Sequence, residues 1–183
     1  MDDTNDMIHI YTGDGKGKTT SAFGLALRAI GAKKRVAIIQ FLKKPDTSEY
    51  KAIKKYRLPI LIESFGIGFY KILGDQIPKL AHQKAAQKGL RRAQEIIEKG
   101  DYDLVILDEI NVAIDYGLVD IEEVIEIIQL QRLSVVGKRS ADIVLTGRHA
   151  HPKLKKLADL VTEMKKEKHY FDKGQKARKG IEE

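Results

Sequence analysis

Thr12-Gly13-Asp14-Gly15-Lys16-Gly17-Lys18-Thr19 decides how this 183-residue chain is read. Before it, Met7-Ile8-His9-Ile10-Tyr11 has the makings of a short buried strand. After it, Thr19 to Ile30 carries Ala22, Phe23, Leu25, Ala26, Ala29 and Ile30, a largely apolar helix with Gly31 as its stop. Glycines between a strand and a helix let the backbone curl so that successive N–H groups face a phosphate. The helix N-terminus adds its partial positive charge. In such a loop Lys18 neutralises phosphate oxygens and the Thr19 hydroxyl binds Mg²⁺. Strict spacing asks for glycine at position 12, where Thr12 stands. Gly13, Gly15 and Gly17 do not fit the G-x-G-x-x-G of a dinucleotide loop. A merely tight turn would have no use for Lys-Thr at the helix start.

Working outward, Arg35 to Phe41 is a second predicted strand and Leu58 to Phe65 a third, with Pro59 placing the third at a sheet edge. Leu80 to Lys99 is a long amphipathic helix with Ala86, Leu90, Ala93 and Ile97 on one face. Tyr102 to Glu109 is a strand running into the carboxylates Asp108 and Glu109. Asp120 is a predicted N-cap, with Glu123 as its capping-box partner. Ala141 to Leu145 is another strand, ending in Thr146-Gly147-Arg148; Pro152 opens a further helix; Leu160 to Met164 is a last short strand. Alternating strands and helices predict an α/β fold: a mostly parallel sheet covered by helices on both faces, of the P-loop NTPase (RecA-like) kind. Ligands of such sheets bind beyond the C-terminal strand ends. The glycine loop, Asp108-Glu109 and Thr146-Gly147-Arg148 all follow strand ends and are expected to converge there. One domain over residues 1–183 is expected, with 165–183 as a surface-wrapping tail.

Asp108-Glu109 reads either as a Mg²⁺-binding pair of the Walker B type or as an exposed acidic turn; the glycine loop favours the first. Arg148 suits a clamp on a triphosphate or carboxylate and equally a surface role. His149 and His151, two apart, read as loop residues rather than a metal pair, and Phe69 as a core aromatic by default or a ligand-stacking one.

Composition narrows the classes. With no Cys, disulfides, thiolate metal sites and a cysteine nucleophile are excluded. No apolar run is long enough to span a bilayer, and the acidic start Met1-Asp2-Asp3 lacks the features of a secretory signal, so a cytoplasmic protein is expected. The formal charge of +7 is concentrated between Lys153 and Lys179. Acids such as Asp159, Glu163, Glu167 and Asp172 interrupt that run, so a solvated surface is expected rather than a nucleic-acid site.

The run from Tyr11 to Thr20, with Ala22-Phe23-Gly24 and Arg28 after it, resembles the P-loop ATP:corrinoid adenosyltransferases, also called cob(I)alamin adenosyltransferases. Thr in place of the first loop glycine belongs to that family's pattern. The resemblance continues through Gln40-Phe41-Leu42-Lys43, Gly68-Phe69 and Leu107-Asp108-Glu109. It resumes at Leu145-Thr146-Gly147-Arg148, Leu157-Ala158-Asp159, and the spaced series Lys168, His169, Phe171, Asp172, Gly174, Ala177, Gly180 and Ile181. It implies transfer of the 5′-deoxyadenosyl group of ATP to cobalt(I) of a reduced corrinoid, with release of triphosphate, in adenosylcobalamin biosynthesis or salvage. It implies that Thr12, Gly13, Asp14, Gly15, Lys16, Gly17, Lys18, Thr19 and Thr20 form the nucleotide cradle. Lys18 and Glu109 are then catalytic, and Thr19, Asp108 and Glu109 hold Mg²⁺ or Mn²⁺. Arg28, Lys43, Phe69 and Arg148 are placed near nucleotide or corrinoid. A homodimer and an external, flavodoxin-like reductant are implied as partners.

Three departures stand out. Lys71 occupies a position where the family often has Trp, linked to removal of cobalt's lower ligand, which leaves Tyr70 or Tyr50 to substitute. Six residues precede the first strand, too few for the N-terminal helix that covers the corrinoid in longer members, and Glu182-Glu183 stands where the family ends in an aromatic. The other classes to weigh are a small P-loop kinase or NTPase, and a non-enzymatic corrinoid- or nucleic-acid-binding module.

Overall fold

In a computed structural model, residues 6–68, 70–71, 75–130 and 140–182 are described. Strand β1 (Ile8–Thr12) leads through the glycine loop into helix α1 (Lys18–Gly31). Then come β2 (Val36–Gln40), α2 (Ser48–Lys55), β3 (Ile60–Ser64), α3 (Lys79–Lys99), β4 (Leu104–Asp108) and α4 (Ile110–Asp115). The chain continues with α5 (Ile121–Leu130), β5 (Asp142–Thr146), α6 (Pro152–Leu157), β6 (Leu160–Glu163) and a 3₁₀ turn at Tyr170–Lys173. The strands form one six-stranded sheet in the order β3-β2-β4-β5-β1-β6. All its pairings are parallel. β3 lies at the edge, as Pro59 predicts.

Both faces are covered because the strands alternate by twos. Ile8, Ile10, Ala37, Ile39, Val105, Leu107, Ile143 and Leu145 point to the face packed by α3, α4, α5 and α6. Val36, Ile38, Leu104, Ile106 and Val144 point to the other, covered by α1 and α2. Helix α1 meets that face with Ala22, Ala26 and Ala29, small residues at helical spacing that let its axis lie close to the sheet. The sheet order makes β1, β5, β4 and β2 neighbours, so the segments leaving their C-terminal ends meet at one rim. The sequence reading places these elements to within one residue, apart from β3 and β4, which each start two residues later. Two short helices, α2 and α4, were not foreseen. Asp120 Oδ1 accepts the N–H of Glu122 at 2.7 Å, while Glu123, the expected capping partner, bonds Gln87 across to α3.

Candidate active site at the C-terminal rim of the sheet

The loop after β1 is pressed against the segment after β6. Gly13 has φ +98°, and a Cβ there would lie 2.5 Å from the Met164 carbonyl oxygen, so only glycine fits. Thr12 O accepts the Met164 N–H at 2.8 Å, and Met164 O accepts the Gly15 N–H at 2.7 Å. Thr12, in the place of the missing glycine, is buried, and its hydroxyl accepts the Ala150 N–H at 3.2 Å. It ties the loop to the turn after β5. Lys18 folds back, donating to Gly13 O and Gly15 O at 2.7 Å each. Burial, then the positive charge of Arg148, lowers its pKa. Arg148 itself is exposed, just beyond β5.

A buried polar cluster lies beside the loop. Asp108, fully buried, ends β4. Its Oδ1 accepts from Thr19 Oγ1 at 2.9 Å and Thr146 Oγ1 at 2.7 Å; its Oδ2 accepts from Gln40 Nε2 at 3.1 Å and Lys43 Nζ at 2.8 Å. Thr146 Oγ1 in turn accepts the Glu109 N–H at 2.9 Å. Ser64 Oγ donates to Gln40 Oε1 at 2.9 Å, extending the chain of bonds to the edge strand β3. Lys43 Nζ also donates to Thr19 Oγ1 at 2.8 Å and lies 3.5 Å from Glu109 Oε1. Burial opposes the charge on Lys43, yet the Asp108 and Glu109 carboxylates outweigh it and raise its pKa to about 12. Burial also acts on Asp108, where the Lys43 ammonium prevails and holds the carboxyl low. Glu109 is raised, first by burial and then by the neighbouring Asp108 charge against the pull of Lys43. Glu109 caps α4 in the left-handed region at φ +66°, an uncommon conformation for a glutamate and a frequent one at functional sites.

The backbone around Lys43 is fixed by close packing. A Cβ on Gly66 would fall 2.0 Å from the Leu42 carbonyl carbon and 2.2 Å from the Lys43 nitrogen, so the β3 exit seats the β2 exit.

The outer side of the loop is solvent-facing. Lys16 Nζ reaches Tyr170 Oη at 3.1 Å and Glu182 Oε1 at 3.2 Å. Tyr170 also bonds Glu182, whose carboxylate pairs with Arg178 Nη2 at 3.1 Å. His149 Nδ1 lies 2.9 Å from Asp115 Oδ2, with its Nε2 3.9 Å from Asp14 Oδ1. His151 instead accepts the Lys153 N–H and caps α6, so the two histidines act separately, as loop residues.

Thr12, Gly13, Asp14, Gly15, Lys16, Gly17, Lys18, Thr19, Lys43, Asp108, Glu109 and Arg148 thus gather at one rim, with Thr20 exposed on the first turn of α1. Arg28 sits in the last turn of α1, ten residues from Lys18 or about 15 Å along the helix, where its charge is felt by Tyr11. Phe69 lies outside the described residues. Tyr70 packs edge-on to Tyr116 at 5.6 Å and against His82 at 5.1 Å, and Tyr50 packs on the α1/α2 face. Sequence reasoning passed over Gln40, Ser64, Met164, Tyr170 and Glu182 as site residues. Of these only Gln40 carried a signal: a polar residue closing the apolar run Val36-Ala37-Ile38-Ile39.

A parallel α/β sheet, a glycine-lysine loop between β1 and α1, and a buried carboxylate at the end of a neighbouring strand define a P-loop protein. Residues 4–182 match the family described as ATP:corrinoid adenosyltransferase BtuR/CobO/CobP, and the chain belongs to it. It is 34% identical over 181 residues to the corrinoid adenosyltransferase of Pseudomonas aeruginosa, covering 98% of this chain and 85% of that protein. The corrinoid adenosyltransferase of a Sinorhizobium species is 35% identical, with 98% of this chain and 81% of the relative covered. For corrinoid adenosyltransferase CobA of Salmonella typhimurium the figures are 32%, 96% and 85%. Among the described residues no helix is long and apolar enough to cross a membrane.

Proposed function

We propose that this chain transfers the 5′-deoxyadenosyl group of ATP to the cobalt of a reduced corrinoid, releasing triphosphate. The observation that carries the reading is the family's loop set beside the Thr19–Lys43–Asp108–Glu109 cluster, whose cation suits a polyphosphate and whose oxygens suit its metal. Cobalt(I) of the corrinoid substrate supplies the electron pair and bonds to C5′. The C5′–O bond breaks, and its electron pair leaves on the triphosphate. No side-chain nucleophile is needed, which suits a chain without cysteine. The protein's share is alignment and stabilisation of the negative charge that builds on the leaving group. Gly13 to Thr20 cradle phosphates, Lys18 gives up its two backbone carbonyls for phosphate oxygens, and Arg148 supplies a second cation from the β5 side. Phe69 and Arg28 are assigned to the corrinoid and nucleotide surroundings on family grounds.

Thr19, Asp108 and Glu109 would hold Mg²⁺ or Mn²⁺. The fit is good: one oxygen of each lies within 3.5 Å of a single cationic centre, the Lys43 ammonium, so the donors already enclose one point. Hard oxygen ligands of this number suit Mg²⁺, which keeps several waters and shares its site with phosphates. When bound, the metal neutralises phosphate charge. We further infer a single cytoplasmic domain over 1–183 with 165–183 as its tail. A homodimer supplied with electrons by a flavodoxin-like partner completes the reading.

The test is direct. MgATP and chemically reduced cobalamin should yield the adenosyl–cobalt spectrum, with triphosphate as the inorganic product. ADP and phosphate, with no cobalt–carbon bond, would instead mark a kinase or NTPase.

A further inference from the structure

The side chain of Lys43 stands where a metal ion is wanted. Its ammonium is 2.8 Å from Thr19 Oγ1, 2.8 Å from Asp108 Oδ2 and 3.5 Å from Glu109 Oε1. Mg²⁺ approaches oxygen to about 2.0–2.1 Å, so an ion that draws in these three oxygens competes for the oxygens that Nζ now holds. Two like-charged centres cannot share that space. Asp108 and Glu109 carry two negative charges at most, and Lys43 already offsets one of them.

The backbone beneath Lys43 has no freedom to withdraw. Phe41 N donates to Asp108 O at 2.9 Å, and Gly66 packs on the Leu42–Lys43 peptide. The lysine stem does have freedom, since its rotatable carbons let the ammonium swing without moving the chain. A third carboxylate, Glu49 in the first turn of α2, is near enough to act on Lys43 and offers somewhere to go. So do the phosphates of an arriving nucleotide.

We propose that Lys43 is the resident counter-ion of the metal site, competing with the divalent cation in the nucleotide-free protein and leaving when phosphates arrive. This rests on the assignment of Thr19, Asp108 and Glu109 to the metal. It orders the binding events: metal enters with the nucleotide, not ahead of it. It also gives Lys43 two partners in succession, the carboxylates first and the phosphates second.

Mn²⁺ titrations followed by electron paramagnetic resonance test it without turnover. In nucleotide-free protein, Lys43→Met should bind Mn²⁺ at least about tenfold tighter than wild type, and Lys43→Arg should match wild type. Equal nucleotide-free affinity in Lys43→Met and wild type overturns the proposal, provided Glu109→Gln still weakens Mn²⁺ binding in the presence of ATP. If Glu109→Gln leaves that binding untouched, the metal assignment falls and this inference falls with it. Should Lys43→Met fail to fold, nuclear magnetic resonance of the lysine ammonium groups in ¹⁵N-labelled wild type decides. The Lys43 ammonium signal should move on addition of MgATP, as its partners change from carboxylate to phosphate oxygens. A Lys43 signal that stays in place at saturating MgATP overturns the proposal.

Discussion

The two sides of the glycine loop are built in opposite ways. On the inner side, Thr19, Lys43, Asp108, Thr146 and Gln40 come from four separate segments and are interlocked by short hydrogen bonds away from water. On the outer side, Lys16 meets Tyr170 and Glu182, and Arg178 pairs with Glu182, with both cations exposed to solvent. A lost partner inside leaves a buried polar group unsatisfied, whereas a lost partner outside is replaced by water. The inner side is therefore the more tightly specified, and the outer side sets how the tail rests on the loop.

Substitutions can break this contrast. Lys18→Ala should have the largest effect, lowering kcat by on the order of 10²- to 10³-fold with ATP still bound, because triphosphate departure loses a fixed cation. A near-normal rate would show that the loop has been misassigned. Glu109→Gln should weaken the Mg²⁺ dependence by roughly tenfold or more in a metal titration of activity. Gln40→Leu removes a donor from Asp108 and a partner from Ser64. It should cost about 1–3 kcal/mol in a denaturant melt, with a smaller loss of rate than Lys18→Ala. Glu182→Gln should change turnover less than about twofold, the expected size for an exposed ion pair. An effect as large as that of Gln40→Leu would erase the distinction between the two sides.

Acid sharpens the same comparison. Arg178, then Tyr170, hold the Glu182 carboxyl well below its ordinary value. A depressed carboxyl contributes stability above its unfolded value and loses it as pH falls through the folded one. Tail docking should therefore persist through neutral pH and weaken only below the usual carboxylate range. The chain has no Trp, so tyrosine fluorescence can follow the change, with Tyr170→Phe as the reference. Release of the tail near neutral pH would contradict the assignment.

The inner and outer sides also differ in how far sequence alone reached them. The loop, Asp108 and Glu109 were legible because each follows an apolar run of strand length, and such runs are what buried parallel strands look like. The bond from Lys43 to Asp108 spans 65 residues and depends on β2 lying beside β4, a neighbour relation that no local pattern encodes. Helix α2 escaped notice since only Ile53 in it is buried, leaving almost no apolar stripe. Helix α4, at six residues, is too short to display a period. Met164 was legible as a strand end, but its grip on Gly15 arises from backbone atoms, to which side-chain patterns are blind.

That grip bears on the order in which the protein can assemble. The ribosome makes residues 12–19 early, yet their seat on Met164 and their cover from Tyr170 and Glu182 are made near the close of synthesis. β1 likewise waits for both its neighbours, β5 and β6, which follow it by more than a hundred residues. A chain stalled before residue 164 would carry the whole glycine motif without its seat, and should capture nucleotide only once translation has passed that point.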